Sequence, residues 1–304
     1  MSPGTMPPVS IVTPSFNQAR FLRHTIDSVL TQTYPRVEYI VIDGGSTDGS
    51  VDVLRSYGER LAWRSERDRG QSDAINNGFA RCQGAICGYL NSDDVLAPGA
   101  IRAAVAHFQR HPDWDMIYGN AHNIDAEDRI LSRYATAPFD GTQLLQNCFI
   151  CQPATFWRAE MARQIGPFDV DLHYAMDLDY WLRIARAGGR IVHVPEVLAS
   201  SRVHPATKTL SGRRHVYREI LQVCRRHAGQ AGFSQYFAYW HHRCHEAKRG
   251  WPRLLRGLPH PEYWLALLHS GWDRHQGRPL ALAADLFAAA GRRFRARRAS
   301  GAPG

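Results

Sequence analysis

Two adjacent carboxylates, Asp93 and Asp94, follow the apolar run at residues 86–90 and carry the clearest chemical demand in this chain. Like charges side by side at a strand end repel one another unless a cation or a hydrogen-bond donor lies beside them. A hard divalent cation, Mn²⁺ or Mg²⁺, held by one or two carboxylates and by phosphate oxygens answers that demand. The plainer reading is an N-cap for the helix after Pro98, but both aspartates lie too far upstream to cap it well. Three further polar clusters follow strand-like runs: Thr13 to Asn17 (TPSFN), Asp43 to Gly49 (DGGSTDG) and Asp68 to Ala74 (DRGQSDA). Each alone reads as a solvated turn, because Asp, Gly, Ser and Asn dominate turns. Four such clusters at one edge of an open α/β sheet, where ligands bind beyond the carboxyl ends of the strands, mark a site. The chain has no GxxxxGK[ST] loop and no GxGxxG after its first strand, which argues against P-loop hydrolysis and dinucleotide binding.

The elements that must position these clusters alternate in type. Residues 9–13 are a β-branched run, and residues 19–31 place Phe21, Leu22, Ile26, Val29 and Leu30 at helical spacing. Strands at 39–42, 61–65 and 86–90 alternate with helices at 51–57, 72–82 and 99–108, the last with Pro98 as a first-turn proline. Repeated β-α units of this length imply a parallel sheet with helices on both faces. Beyond residue 110 the pattern loosens into strands at 116–124, 130–134 and 154–157. A helix at 180–187 ends at Gly188-Gly189, and a strand follows at 190–194. From about residue 212 the chain turns helical and basic, and residues 299–304 read as frayed.

Composition sets limits. Hydrophobic residues make up 44% and charged residues 21% of 304 positions, the range of an ordinary globular protein. No apolar run reaches the roughly 18–20 residues that span a bilayer, and the N-terminus lacks a signal-peptide pattern, so a cytoplasmic location is expected. Six scattered cysteines read as free thiols. The fifteen histidines form no HExxH or similar cluster and read mostly as solvated. The net charge of +9 is uneven: residues 205–304 hold 18 Lys and Arg against 5 Asp and Glu, while residues 1–204 hold 19 against 23. A basic tail suggests an anionic partner such as a membrane face. Residues 280–298 set Leu282, Leu286, Phe287 and Phe294 among arginines, as in a helix lying on a membrane or packed on the rest of the protein. No nucleic-acid-binding module accompanies the charge, so no nucleic-acid partner is expected.

The runs VSIVTPSFNQ, TIDSVLTQTYP, EYIVIDGGSTDGS, SERDRGQSDAINNGF and GYLNSDDVLAPGA occur in that order, and with them residues 8–204 resemble the family-2 glycosyltransferases of GT-A fold. The resemblance implies an α/β, Rossmann-like, mostly parallel sheet with flanking helices over residues 1–211. A helical basic C-terminal extension at 212–304 lies beyond it. It also implies an inverting, metal-dependent transferase that moves a sugar from a nucleotide-diphosphate donor, a UDP-sugar being favoured, to a hydroxyl of a glycan or lipid-linked acceptor. Cell-surface polysaccharide synthesis is the expected setting, in the cytoplasm or peripherally on the inner membrane face.

The same resemblance implies roles for single residues. Thr13, Pro14 and Asn17 would line the nucleotide pocket, Asp43 would recognise the base beside Gly45, and Asp73 would sit by the ribose or sugar. The family's DxD motif stands here as Asn91-Ser92-Asp93, leaving Asp93 as the metal ligand, with Asn91 and Asp94 beside the donor. Arg202, His204 and Lys208, one of two lysines beside 35 arginines, would lie near the donor diphosphate. Asp177 matches the general base, although Met176 replaces a glutamate common before it. The plainer reading of Asp177 is a helix N-cap, a part that Asp179 fits better. Gln152 and Asp179 fall on the acceptor side. A sugar nucleotidyltransferase would want a Gly-rich basic signature after the first strand, and TPSFNQ lacks one. A non-catalytic sugar-binding relative stays open through Asn91 and Met176.

Overall fold

Apolar β-branched runs bounded by Gly and Asp turns make the strands of this protein, and amphipathic runs between them make the helices. The computed structural model describes residues 6–246 and 261–274. The first elements are β1 (Val9–Ser15), α1 (Ala19–Leu30), β2 (Val37–Asp43), α2 (Ser50–Ser56), β3 (Ala62–Ser65), α3 (Gln71–Phe79) and β4 (Ile86–Tyr89). Next come β5 (Val95–Leu96), α4 (Ala100–Arg110), β6 (Met116–Ile124), β7 (Ile130–Arg133), α5 (Gly141–Leu144), β8 (Thr155–Arg158) and α6 (Ala159–Ile165). The chain continues through α7 (Met176–Arg186), β9 (Ile191–Arg202), α8 (Lys208–Ser211), α9 (Arg213–Ala228), α10 (Phe233–Glu246) and α11 (Pro261–Arg274).

One sheet runs in the order β3-β2-β1-β4-β8-β6-β9-β5, with β7 beside β6. Strands β1 to β4 are mutually parallel, in a register from Val9 opposite Val37 to Ser15 opposite Asp43. The loops after all four therefore emerge at one edge, as the polar clusters require. The rest of the sheet is mixed: β8 is antiparallel to β4 and β6, β9 is parallel to β6, and β5 is antiparallel to β9.

Alternate residues of the parallel strands serve two layers. Val9, Ile11, Tyr39 and Val41 join the main core with Leu22 and Ile26 of α1, Leu54 of α2 and Ile101 and Phe108 of α4. Ile40 and Ile42 face Ala74 of α3. A Cβ on Gly78 would lie 2.4 Å from Cγ1 of Val12, so glycine lets α3 rest directly on β1 and fixes its N-terminus at the strand edge.

Three boundaries depart from the sequence expectation. Helix α4 starts at Ala100, and Gly99, in the left-handed region at φ 78°, holds the cap position, so Pro98 lies outside the helix. Helix α7 starts at Met176, four residues before 180, because Met176 and Leu178 are themselves buried anchors. Strand β9 runs to Arg202 rather than 194, since β6 and β5 pair with its second half.

The chain divides into two units, Met1–Leu144 with Cys148–Ser211, and Leu145–Asn147 with Gly212–Gly304. Within the second, α9, α10 and α11 pack around Leu221, Cys224, Tyr236 and Ala266. Asp273 knits them together. It accepts from Arg225 at 2.9 and 3.1 Å, from the Tyr236 hydroxyl, and from the Ala231 N–H at 3.3 Å. The segments 280–298 and 299–304 lie outside the described residues. All six cysteines are free. Among the described residues no helix is long and apolar enough to cross a membrane.

Candidate functional site

The site grows from the carboxyl edge of the parallel strands. Leu90 N–H donates to the Val12 carbonyl at 2.9 Å, so the even residues of β1 face β4. The β1–β4 ladder ends at Val12 opposite Tyr89, and Pro14, one step on, forgoes no ladder bond. Thr13 is wholly buried against the Tyr39 hydroxyl at 3.0 Å, and Pro14 is buried too. Both side chains, expected at the donor, are packed inside the protein. Asn17 is exposed at φ 52°, a region Asn tolerates better than most residues. Its N–H donates to Ser46 Oγ at 2.7 Å, and its Oδ1 accepts from Thr47 N–H at 2.9 Å. It thereby clips the loop after β1 to the loop after β2.

Asp43 also differs from its expected role. It is fully buried, and its two oxygens accept from Gly45 N–H at 3.1 Å, Ser46 N–H at 2.9 Å, Ser46 Oγ at 2.5 Å and Ser65 Oγ at 2.6 Å. Four donors, three of them on Oδ2, tie the carboxylate to its own loop and to Ser65, and order the DGGS turn. Gly45, at φ 83°, provides the turn.

The Asn91-Ser92-Asp93-Asp94 turn is held from beneath. Arg202, its side chain wholly buried, donates to the Asp93 carbonyl and the Asp125 carbonyl, both at 2.7 Å, and pairs with Asp128. Its guanidinium lies 4.8 Å from the Phe21 ring centre. Asp94 accepts from the Arg202 N–H at 2.8 Å and from Asn91 Nδ2 at 3.2 Å, and it is 3% exposed. Burial first, then the Asp93 charge, raises its pKa. Arg202 and Asp94 are thus internal braces of the turn rather than donor contacts.

Asp93 faces outward, with its Oδ2 3.2 Å from His204 Nε2. The His204 ring rests 4.8 Å from Phe21. Beside this pair runs a polar relay. Lys208 Nζ donates to Gln71 Oε1 at 2.8 Å, Gln71 Nε2 to Asn91 Oδ1 at 2.6 Å, and Asn91 Nδ2 to Gln152 Oε1 at 3.1 Å. Gln152 is buried and donates to the Tyr89 carbonyl at 2.8 Å. It orients Asn91 and does not face an acceptor.

Helix α7 carries the acidic pair. Met176 Sδ accepts from Ser72 Oγ at 2.8 Å, which seats the start of α7 on the start of α3. Asp177 is the second residue of α7, half-buried, and its Oδ1 accepts from Leu178 N–H at 2.8 Å. Its charge and that of Asp94 both act on the buried Tyr89 hydroxyl, which burial foremost keeps protonated. The cap position belongs to Ala175, so neither Asp177 nor Asp179 is the N-cap. Asp179 is 1% exposed and bonds Arg183 Nε at 2.9 Å, while Arg183 ties down the Ile165 and Pro167 carbonyls at 2.8 Å each. That buried tether is not open to an acceptor. Asp73, in the first turn of α3, accepts from Arg69 through side chain and backbone at 2.7 and 3.2 Å, and these bonds, led by the side-chain one, lower its pKa.

Asp93 is thus brought to His204, and Lys208 to Asn91 through Gln71, a residue that sequence reasoning overlooked. Gln71 stands in the quoted QSDA run, but only the contact with Lys208, 137 positions away, reveals its part. His204, expected near the donor, and His107 are buried, whereas most of the histidines were expected to be solvated.

Comparison with known proteins adds three findings. The family described as Glycosyl transferase family 2 matches residues 10–164, and Glycosyl transferase family group 2 matches residues 88–274. An uncharacterized glycosyltransferase of Rickettsia prowazekii is 31% identical over 216 residues, covering 67% of this chain and 66% of that protein. Among solved structures, S. aureus TarS residues 1–349 in complex with UDP-GlcNAc superposes with a TM-score of 0.60 at 15% identity, covering 88% of this chain and 81% of that one. The mannosyltransferase PcManGT from Pyrobaculum calidifontis, in complex with GDP-Man and Mn²⁺, gives 0.58 at 20%, covering 95% and 77%. These likenesses establish the GT-A fold.

Proposed function

The chain belongs to glycosyl transferase family 2, and from that premise we propose that it moves a sugar from a UDP-sugar to a hydroxyl of a glycan or lipid-linked acceptor, in cell-surface polysaccharide synthesis. The observation that carries this reading is the Asp93–His204 pair at the strand edge, beside the Lys208–Gln71–Asn91 relay. Residues 1–211 form the catalytic part in this reading, and the basic extension meets an anionic membrane where a lipid-linked acceptor resides.

A divalent cation fits the pair. Two ligand atoms 3.2 Å apart, a carboxylate oxygen and an imidazole nitrogen, suit Mn²⁺ by donor type and spacing. Among the described residues no group of three or more His, Cys, Asp or Glu gathers, so donor phosphate oxygens and water would supply the remaining ligands. When bound, the cation would offset the charge that grows on the departing diphosphate. The PcManGT structure contains Mn²⁺, which supports the reading by analogy of fold.

The chain's own residues do the rest. Lys208 and the amides of Gln71 and Asn91 hold the diphosphate and sugar hydroxyls by charge and hydrogen bonds. Asp177 accepts the acceptor hydroxyl's proton as its oxygen bonds to the anomeric carbon. The bond from that carbon to the phosphate oxygen breaks, and its electron pair leaves on the nucleoside diphosphate. A single displacement inverts the anomeric configuration. The test is release of nucleoside diphosphate from a panel of nucleotide sugars, with acceptor glycans, in Mn²⁺ and in EDTA. Metal-dependent turnover of one donor is expected, and turnover indifferent to EDTA would reject the metal assignment.

A further inference from the structure

Gly44 raises a question that its backbone does not answer, because its φ lies outside the left-handed region and any residue could adopt it. The answer is a neighbour. A Cβ at position 44 would lie 2.8 Å from Oδ2 of Asp68 and 3.2 Å from its Cγ and Oδ1. The Asp68 carboxyl thus lies flat on the Gly44 backbone, at the end of β2, in space that any side chain at 44 would take.

The other carboxylates of this edge are committed. Asp43 already accepts four hydrogen bonds from its own loop and from Ser65. Asp73 is held by Arg69, and Asp48 by Ala19 N–H and by Ser50 through backbone and hydroxyl. Asp68 differs. Its Oδ1 accepts from Gly70 N–H at 2.8 Å, and among the described residues its Oδ2 takes no hydrogen bond. Burial foremost, with the Asp73 and Asp43 charges adding to it, raises its pKa despite the Gly70 bond. A half-buried carboxylate in that state is relieved by one more N–H donor.

Its position fits the base of a bound nucleotide. In the order β2-β1-β4, the end of β2 lies two strands, about 10 Å, along the edge from β4 and the Asp93 turn. A nucleoside diphosphate whose phosphates lie at Asp93 and His204 spans that distance over the loop after β1. Resting on the proposed donor chemistry, we infer that Asp68, and not Asp43, reads the nucleobase. Its Oδ2 accepts the ring N–H of a lactam base, uracil or guanine, and discriminates against cytosine and adenine, whose corresponding ring nitrogen is an acceptor. Gly44 is the space that lets it do so.

Calorimetric titration of the full chain with UDP, GDP, CDP, ADP and inorganic pyrophosphate in Mn²⁺ tests this in wild type, Asp68→Asn and Gly44→Ala. Wild type should favour UDP or GDP over CDP and ADP. Asp68→Asn keeps the Gly70 bond but presents an amide donor to the base. The favoured nucleotide should therefore weaken about 10- to 100-fold, the worth of a hydrogen bond to a charged group. CDP should not weaken, and pyrophosphate should bind all three proteins alike. Gly44→Ala should lose the same discrimination, and adding it to Asp68→Asn should cost nothing further. An unchanged UDP:CDP ratio in Asp68→Asn would overturn the inference while leaving the donor chemistry standing. A wild type that binds pyrophosphate and none of the nucleotides would sink both.

Discussion

Replacing Arg202 by methionine separates two roles for that residue, a brace within the protein and a contact to the donor. Methionine keeps the apolar volume against Phe21 and removes the guanidinium. The Asp93 carbonyl then loses its donor, while the Asp125 carbonyl loses one donor and keeps the Asp128 N–H at 3.3 Å. An orphaned acceptor costs about 1–3 kcal/mol. Asp128 adds little, since its side chain is 40% exposed and retains His24. The Asp94 carboxylate keeps its bond to the Arg202 N–H, because that donor is backbone. The sum is a loss of about 1–3 kcal/mol of stability. Urea unfolding followed by tryptophan fluorescence reads it, with UDP and Mn²⁺ titrated into the folded variant in parallel. Stability within about 0.5 kcal/mol of wild type, the range of an ordinary surface change, together with collapsed donor affinity, would refute the brace and return Arg202 to the donor.

Three other outcomes are expected. Asp177→Asn should lower kcat by about 10²-fold or more while leaving the donor KM unchanged; weakened donor binding with intact turnover would move the base elsewhere. In the helical unit burial opposes ionisation of Asp273, but the bonds from Arg225 and Tyr236 overcome it and lower its pKa. Its contribution should be complete above the unfolded value of about 3.9 and lost as pH falls through the lower folded value. Helical circular dichroism against pH should show Asp273→Asn losing that dependence, and a variant that follows wild type through this window would remove Asp273 from the account. Sedimentation with liposomes should show salt-sensitive binding to anionic vesicles alone, since each Lys or Arg near such a surface contributes about 1 kcal/mol. Binding that ignores lipid charge, or that persists fully without residues 280–304, would reject the membrane role.

The parallel half of the sheet was legible because each strand is a contiguous apolar run and each helix a periodic one, so local pattern and tertiary role agree. The mixed half was less so. The second part of β9, PEVLASSR, is half polar, and only pairing with β6 and β5 makes it strand. The Asp93-Asp94 turn stood out by residue type, since adjacent aspartates demand an explanation on their own. Which residues turn inward was not. Arg202 and Asp43 have the chemistry of ligand contacts, and their commitment to Asp93, Asp125 and the DGGS turn comes from partners brought together only by folding. Gly44 carries the same lesson, for its reason to be glycine lies 24 positions away at Asp68.

The most direct test of the central claim is calorimetric titration of UDP into the wild-type chain, Asp93→Ala and His204→Ala, each with Mn²⁺ and with EDTA. The account expects binding to wild type that is strengthened by Mn²⁺. Either substitution should abolish that strengthening and leave only the weak, metal-independent affinity. Equal UDP affinity in Mn²⁺ and EDTA for wild type, or full metal dependence surviving in both variants, would contradict it.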